Sequence, residues 1–281
     1  MRVPMTRIKL LGASWIYKAL KVFISSDLKL VRRGGIRYFL DLSEGIDLSV
    51  YLFGNFQRHV TRPSGFSIPS DAVIFDVGAN IGVTTLNYAK AAVNGRVYAF
   101  EPTHYAFSKL LRNIGLNSGL AANIVPIQCF VSSGASEPDE MVAYSSWKID
   151  GKPHGRRHRI HGGIAQDTGS VPSISLDAFC EKEKINRVDF IKIDTEGYEH
   201  QVLLGGRKSI AAFHPVIIFE AGLYQVEDRC GGFKDYLDFF DSLGYSLYNS
   251  KNMAPINREN YRKNIPQYAT IDVLAVPKPA A

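Results

Sequence analysis

Cysteine is scarce in this sequence: Cys129, Cys180 and Cys230 are the only 3 in 281 residues, with no C-x-x-C spacing among them. An odd, scattered set builds neither a disulfide framework nor a zinc site, and it suits a reducing compartment. Long apolar runs are missing too. No stretch reaches the roughly 20 apolar residues that span a bilayer. Lys18 and Lys21 interrupt the apolar N-terminal segment and no A-x-A-like cleavage site follows, which reads against export and for a cytoplasmic protein. Internal repeats and low-complexity tracts are absent. Acid is nearly missing from the first forty residues, where Arg2, Arg7, Lys9, Lys18, Lys21, Lys29, Arg32, Arg33 and Arg37 face only Asp27. Ile8, Leu11, Trp15, Leu20 and Phe23 interleave with these bases at near-helical spacing. Such a helix either lies on an anionic membrane surface, making the protein peripherally membrane-associated, or packs on the body of the protein with its lysines in water.

What is present is an ordinary globular composition, 46% apolar with a net charge of +6, long enough for one substantial core. The expected organisation is a basic helix and cap over residues 1–70, then one catalytic domain over 71–281 with a loop insertion at 132–173. Residues 32–51 alternate like a short hairpin punctuated by Gly34-Gly35. Beyond residue 71 the pattern alternates strand and helix: strand 73–76, helix 81–92, strand 96–100, helix 103–117, strand 123–131, strand 188–193, helix 196–211 and strand 215–220. That order predicts a doubly wound, mostly parallel α/β sheet. Phe233 to Leu243 has a helical period, and 245–248 and 271–276 read as terminal strands.

The first strand runs Val73-Ile74-Phe75-Asp76-Val77-Gly78-Ala79-Asn80-Ile81-Gly82, an apolar β-branched run ending in acid and turning on glycine. It lacks the G-x-G-x-x-G spacing of a nicotinamide site. A pyrophosphate wants bare N–H groups at a helix start, and a carboxylate such as Asp76 beside them repels it. The same carboxylate suits a sulfonium, so S-adenosylmethionine fits better than a dinucleotide. Asp76, Gly78, Asn80 and Gly82 are therefore candidate cofactor-binding residues. The next strand, Arg96-Val97-Tyr98-Ala99-Phe100-Glu101-Pro102, ends in an acid about 20 residues past the loop, the distance at which an acid reaches ribose hydroxyls. Glu101 offers acceptors for a vicinal diol.

A third piece, Val188-Asp189-Phe190-Ile191-Lys192-Ile193-Asp194-Thr195-Glu196-Gly197-Tyr198-Glu199, again runs from core strand into acid, glycine and helix. The pieces DVGANIG, VYAFEP and DFIKIDTEGYE, with Ser175–Phe179 before the third and Val216–Glu220 after it, resemble the FkbM family of S-adenosylmethionine-dependent methyltransferases from about Tyr38 to Val276. One departure is visible: Gly54-Asn55-Phe56-Gln57 stands where that family has Gly, an aromatic residue and Glu, so the hydrogen-bonding capacity is kept and the charge lost. The resemblance implies a Rossmann-like class I methyltransferase sheet whose last strand inserts antiparallel. It also implies O-methylation of a sugar or a polyketide-type natural product.

Methyl transfer to a hydroxyl requires alignment and removal of a proton. Asp194, Glu196 and Glu220 lie at strand ends lining one crevice and are candidate bases. Lys192 shares a sheet face with Asp194 and, as a core lysine, needs Asp194 or Glu220 as partner. Three nearby acids also suit Mg²⁺ as a minority reading. Between 132 and 173 the run His154-Gly155-Arg156-Arg157-His158-Arg159-Ile160-His161 reads as a solvated loop or as a phosphate-binding element of an anionic acceptor site; its histidines lack the partners of a common metal set. The expected partner is a small-molecule or saccharide acceptor. Two competing classes are an RNA methyltransferase and a non-catalytic cofactor-binding protein. No RNA-binding module or N-P-P-Y-type motif supports the first, and the intact acids at three strand ends count against the second.

Overall fold

The computed structural model describes residues 5–54, 56–134, 143–145, 148–149, 164–166, 171–223, 232–267 and 269–279, with backbone alone for 5–11, 143–145 and 164–166. The basic run 154–161 lies outside the described residues. The chain opens with α1 (Met5–Lys21), the hairpin β1 (Leu28–Arg33) and β2 (Ile36–Asp41), then α2 (Gly45–Phe53) and α3 (Arg58–Thr61). Gly34 and Gly35 turn the hairpin with φ of +54° and +85°. Both central positions therefore lie in the left-handed region that a type I′ turn requires. The hairpin sits upstream of the expected 32–51. Residues 45–53 are helical, because Asp47, Leu48 and Val50 bury one helical face.

The sheet is built from β3 (Val73–Val77), α4 (Val83–Ala91), β4 (Arg96–Phe100), α5 (His104–Gly115), α6 (Ser118–Ala121) and β5 (Ile124–Ile127). An excursion follows, with β6 (Phe130–Val131), β7 (Ala143–Ser145), β8 (Ile164–Gln166) and β9 (Ser173–Ile174); β7 pairs with β8, and β9 closes back on β6. The second half comprises α7 (Leu176–Lys182), β10 (Phe190–Ile193), α8 (Glu199–Gly205), α9 (Arg207–Phe213) and β11 (Val216–Ala221). After it come α10 (Phe233–Ser242), β12 (Tyr245–Asn249), β13 (Pro255–Ile256), α11 (Tyr261–Asn264) and β14 (Ile271–Pro277). Strand order is β13-β12-β14-β11-β10-β3-β4-β5. The strands from β11 to β5 run parallel, and β14 enters antiparallel between β11 and β12. This is the inserted last strand that the resemblance implies.

Two expected elements are broken. The strand expected over 123–131 stops at Ile127 and resumes at Phe130; Pro126 is tolerated because β5 is an edge strand. The helix expected over 196–211 starts only at Glu199, because Glu196 (φ +56°) and Gly197 (φ +103°) prolong the turn, and it divides at Gly206. Apolar clusters cover both sheet faces. Phe75, Phe100 and Phe179 meet edge-to-face on one side, and Phe190 packs with Tyr88 on the other.

The N-terminal hairpin docks on α5 through amide side chains. Asn113 accepts from the Phe39 N–H at 2.7 Å, and Asn117 both accepts from Arg37 N–H (2.9 Å) and donates to its carbonyl (2.7 Å). The free edge of β2 is thereby capped. Beneath it lies a buried charge cluster: Lys109 holds Glu44 and Asp47 at 3.1 and 2.6 Å, and Lys148 of the excursion holds Asp41 and Glu44 at 2.8 and 2.9 Å. Asp47 Oδ1 has no hydrogen-bond partner. Burial pushes the Asp47 carboxyl up to about 6 against the pull of Lys109. A raised carboxyl binds its proton more tightly when folded, so its ionisation destabilises. Stability should fall as pH rises from about 4 to about 6, by up to about 3 kcal/mol from this group. Asp47→Asn should flatten that part of the profile, read as the urea midpoint against pH.

Candidate active site

Every amide of the glycine loop is already bonded. Gly78 and Ala79 both donate to the Phe100 carbonyl at 2.9 Å, Asn80 to Glu101 Oε2 at 2.9 Å, Ile81 to Asn80 Oδ1 at 2.8 Å, and Gly82 to the Ala79 carbonyl at 2.9 Å. A phosphate-binding loop needs these groups free, so the turn is no pyrophosphate cradle. Its shape depends on glycine at one point above all. Gly78 has φ +78°, and a Cβ there would stand 1.9 Å from the Asp194 carbonyl oxygen. The ends of β3 and β10 therefore touch backbone to backbone. Gly82 and Asn80 also have positive φ, and Asn80 tolerates it by bonding the next amide.

Lys192 holds this junction from below. Its Nζ donates to the Gly78 and Val77 carbonyls at 2.6 and 3.2 Å and lies 3.3 Å from Asp76 and 3.8 Å from Asp194. Burial opposes its charge, but Asp76 and Asp194 outweigh that and raise its pKa. One expectation needs correction here. Asp76 does not face the cavity: it is wholly buried, its Oδ2 accepts from Thr84 and Thr85 at 2.7 and 2.6 Å, and its Oδ1 faces Lys192 as an ion pair without a directed hydrogen bond. The two threonine hydroxyls at the start of α4 and the lysine take up the carboxylate that the sequence suggested for a ligand. Lys192 takes Asp76 and Asp194, and not Glu220, as its ion-pair partners.

A cavity of about 690 Å³ opens above the loop at the carboxyl ends of the parallel strands, where the strand order reverses between β3 and β10. Gly78, Asn80 and Glu101 line one half of it. Glu101 accepts from Thr103 N–H (3.0 Å), Thr103 hydroxyl (2.6 Å) and Asn80 N–H, and burial raises its pKa. Oε2 carries a single one of these bonds, so it has acceptor capacity left for a hydroxyl.

Asp194, Glu196 and Glu220 line the other half, with Lys192 at its floor. Asp194 and Glu220 are half-buried, and desolvation raises both carboxyl pKa values, against the pull of Lys192 for Asp194. Glu220 accepts from the Thr270 hydroxyl at 2.8 Å. Asp194, Glu199 and Glu220 each bring one carboxylate oxygen within 4.8 Å of the others. Glu199, which replaces Glu196 in that trio, has its Oε1 bonded to Thr195 N–H, Thr195 hydroxyl and Gly197 N–H, closing the turn before α8.

Two residues of this wall went unnoticed in the sequence. His59 of α3 places Nε2 2.5 Å from Asp272 Oδ2, and Asp272 of β14 stands directly beside Glu220 of β11. Both line the cavity. Phe56, Gln57 and Arg58 also face it, so Gln57, which stands where that family has Glu, is part of the wall.

A switch-point cavity whose loop refuses phosphate, on a sheet closed by an antiparallel last strand, is the architecture of the class I methyltransferase fold. Comparison with family models narrows this: residues 76–247 match the methyltransferase FkbM domain, and the chain belongs to that family. Among curated proteins it is 25% identical over 152 residues to the hexuronic acid methyltransferase AglP of Haloferax volcanii, covering 53% of this chain and 55% of AglP. It is 26% identical over 163 residues to methyltransferase sdnD of Sordaria araneosa, covering 50% of this chain and 62% of sdnD. The chain thus spans somewhat over half the length of these two relatives. Among solved structures, the FkbM methyltransferase from Methylobacillus flagellatus is 15% identical with a TM-score of 0.47, covering 80% of this chain and 49% of that one.

Proposed function

We propose that this protein transfers the methyl group of S-adenosylmethionine to a hydroxyl oxygen of a saccharide acceptor. The observation that carries this reading is the acceptor half of the cavity, where His59–Asp272 stands among Asp194, Glu196 and Glu220. Carboxylates accept hydrogen bonds from hydroxyls and suit a polyol, and an imidazole oriented by a carboxylate takes up a hydroxyl proton. An ionised Asp272 only accepts, so the His59 Nε2 carries the proton and the Nδ1 lone pair serves as the base. When bound, S-adenosylmethionine supplies an electrophilic methyl on a sulfonium. Glu101 holds the ribose, and Asn80 with Gly78 and Gly82 shapes the loop beneath it. Lys192 is a positioning residue, through which Asp76 acts on the loop. Asp194 and Glu196 clamp acceptor hydroxyls, and Glu220 walls the cavity behind them. In this reading residues 1–70 are a cap that lends His59 to the catalytic domain at 71–281. The hexuronic acid relative supports a sugar acceptor.

Two measurements test the reading. Calorimetry with S-adenosylhomocysteine should show binding that Glu101→Ala weakens by about 1–3 kcal/mol through lost charged hydrogen bonds; equal affinity in a folded variant would remove the ribose role. A methyl-transfer screen over oligosaccharides, lipid-linked sugars, polyketide alcohols and RNA should yield methyl ethers on the sugars. Transfer to RNA alone, or to polyketide alcohols alone, would overturn the acceptor class.

A further inference from the structure

The N-terminal helix is apolar on two faces, and a single stripe suffices to pack it. Ala13, Tyr17, Leu20 and the following Ile24 turn onto the core, with Tyr17 buried and bonded to Asp27 at 3.0 Å. Trp15, Ile16, Val22 and Phe23 turn outward, with Trp15, Val22 and Phe23 exposed to 74%, 78% and 85%. Leu28 and Leu30 of β1 are exposed as well. Trp15 and Ile16 lie on α1, and Val22 and Phe23 lie in the turn that ends it, so the outward apolar groups run on past Lys21. Exposed apolar groups gathered in one segment mark an interaction surface.

We propose that this face docks on the surface of an anionic lipid bilayer. Lys18 of α1 and Arg32 of β1, which shares the exposed face of Leu28 and Leu30 with its cross-strand neighbour Arg37, belong to the same segment, and its one acid, Asp27, is held by Lys21 at 3.0 Å and by Tyr17. The surface is therefore apolar with a positive border, the combination that seats a helix among anionic headgroups. Tryptophan is suited to that boundary, with an apolar ring and a polar N–H. A second copy of the chain fits less well, because a twofold contact sets the same patch against itself and brings the basic border onto its own like. Ala13 of the same helix and the exposed Phe53 at the end of α2 line the catalytic cavity. Docking would thus hold the cavity beside the bilayer, whatever the acceptor.

The test is flotation of the full chain with phosphatidylcholine vesicles, with and without phosphatidylglycerol. The chain should float with the anionic vesicles and not the neutral ones, and added salt should weaken the association. In a Trp147→Phe background, Trp15 emission should shift to the blue on binding. Trp15→Glu/Phe23→Glu should lower the partition by more than about tenfold, and Lys18→Glu/Arg32→Glu should abolish the preference for anionic lipid. S-adenosylhomocysteine affinity should be kept in both variants. A wild type that floats with neither vesicle, or a double glutamate variant that floats as well as wild type, would overturn the proposal. So would concentration-dependent dimerisation, lost in the glutamate variant and unaccompanied by flotation; that would assign the face to a second copy.

Discussion

His59→Gln should lower kcat by about 10²–10⁴-fold while leaving S-adenosylhomocysteine affinity unchanged, because it removes the proton acceptor without touching the cofactor half of the cavity. Asp272→Asn should cost less than loss of the imidazole itself, because an amide can hold the ring yet favours the wrong tautomer. A kcat within about threefold of wild type for His59→Gln would move the base to Asp194 or Glu196. Asp194→Asn and Glu196→Gln would then carry the rate loss.

Lys192→Met should destabilise the fold by about 3–5 kcal/mol, because the change leaves Asp76 ionised and buried without its cation. For a domain of this size that corresponds to a Tm lower by roughly 2–4 °C per kcal/mol. The loss also strips the Val77 and Gly78 carbonyls of their donor, so the loop should loosen and cofactor affinity should fall with it. Pairing the change with Asp76→Asn should recover part of the stability, since the double variant buries no lone charge; the recovered part is the coupling between the two residues. Thermal melts of the four proteins give the cycle. A Lys192→Met protein as stable as wild type would mean that Asp76 is already neutral in the fold.

β3, β4, β10 and β11 were legible because each is a short apolar run that ends in an acid, and burial on both faces demands such runs. The Gly34-Gly35 turn was legible for a local reason, the need for two positive φ values in succession. Asp76 was misread because the sequence shows its place at a strand end but not the hydroxyls of Thr84 and Thr85 folding back onto it from the next helix. His59 left no signal: it sits in a four-residue helix with no period to read. Asp272 did leave one. If the last strand is antiparallel, its first residues lie at the edge where the parallel strands end, so an acid at its second position belongs to the crevice. The outward face of α1 was hidden because spacing alone cannot tell which of two apolar stripes meets the core.

The place of β14 sets when the proposed catalytic pair is completed. His59 and its partner are 213 residues apart. β11 and β12 leave a vacant slot between them until residues 271–277 arrive to fill it. During synthesis residues 78–101 emerge long before residues 271–277, so until the slot closes His59 has no Asp272 beside it. The same insertion that covers the facing edges of β11 and β12 also brings Asp272 to His59, so edge protection and the proposed catalytic pair are completed in one step.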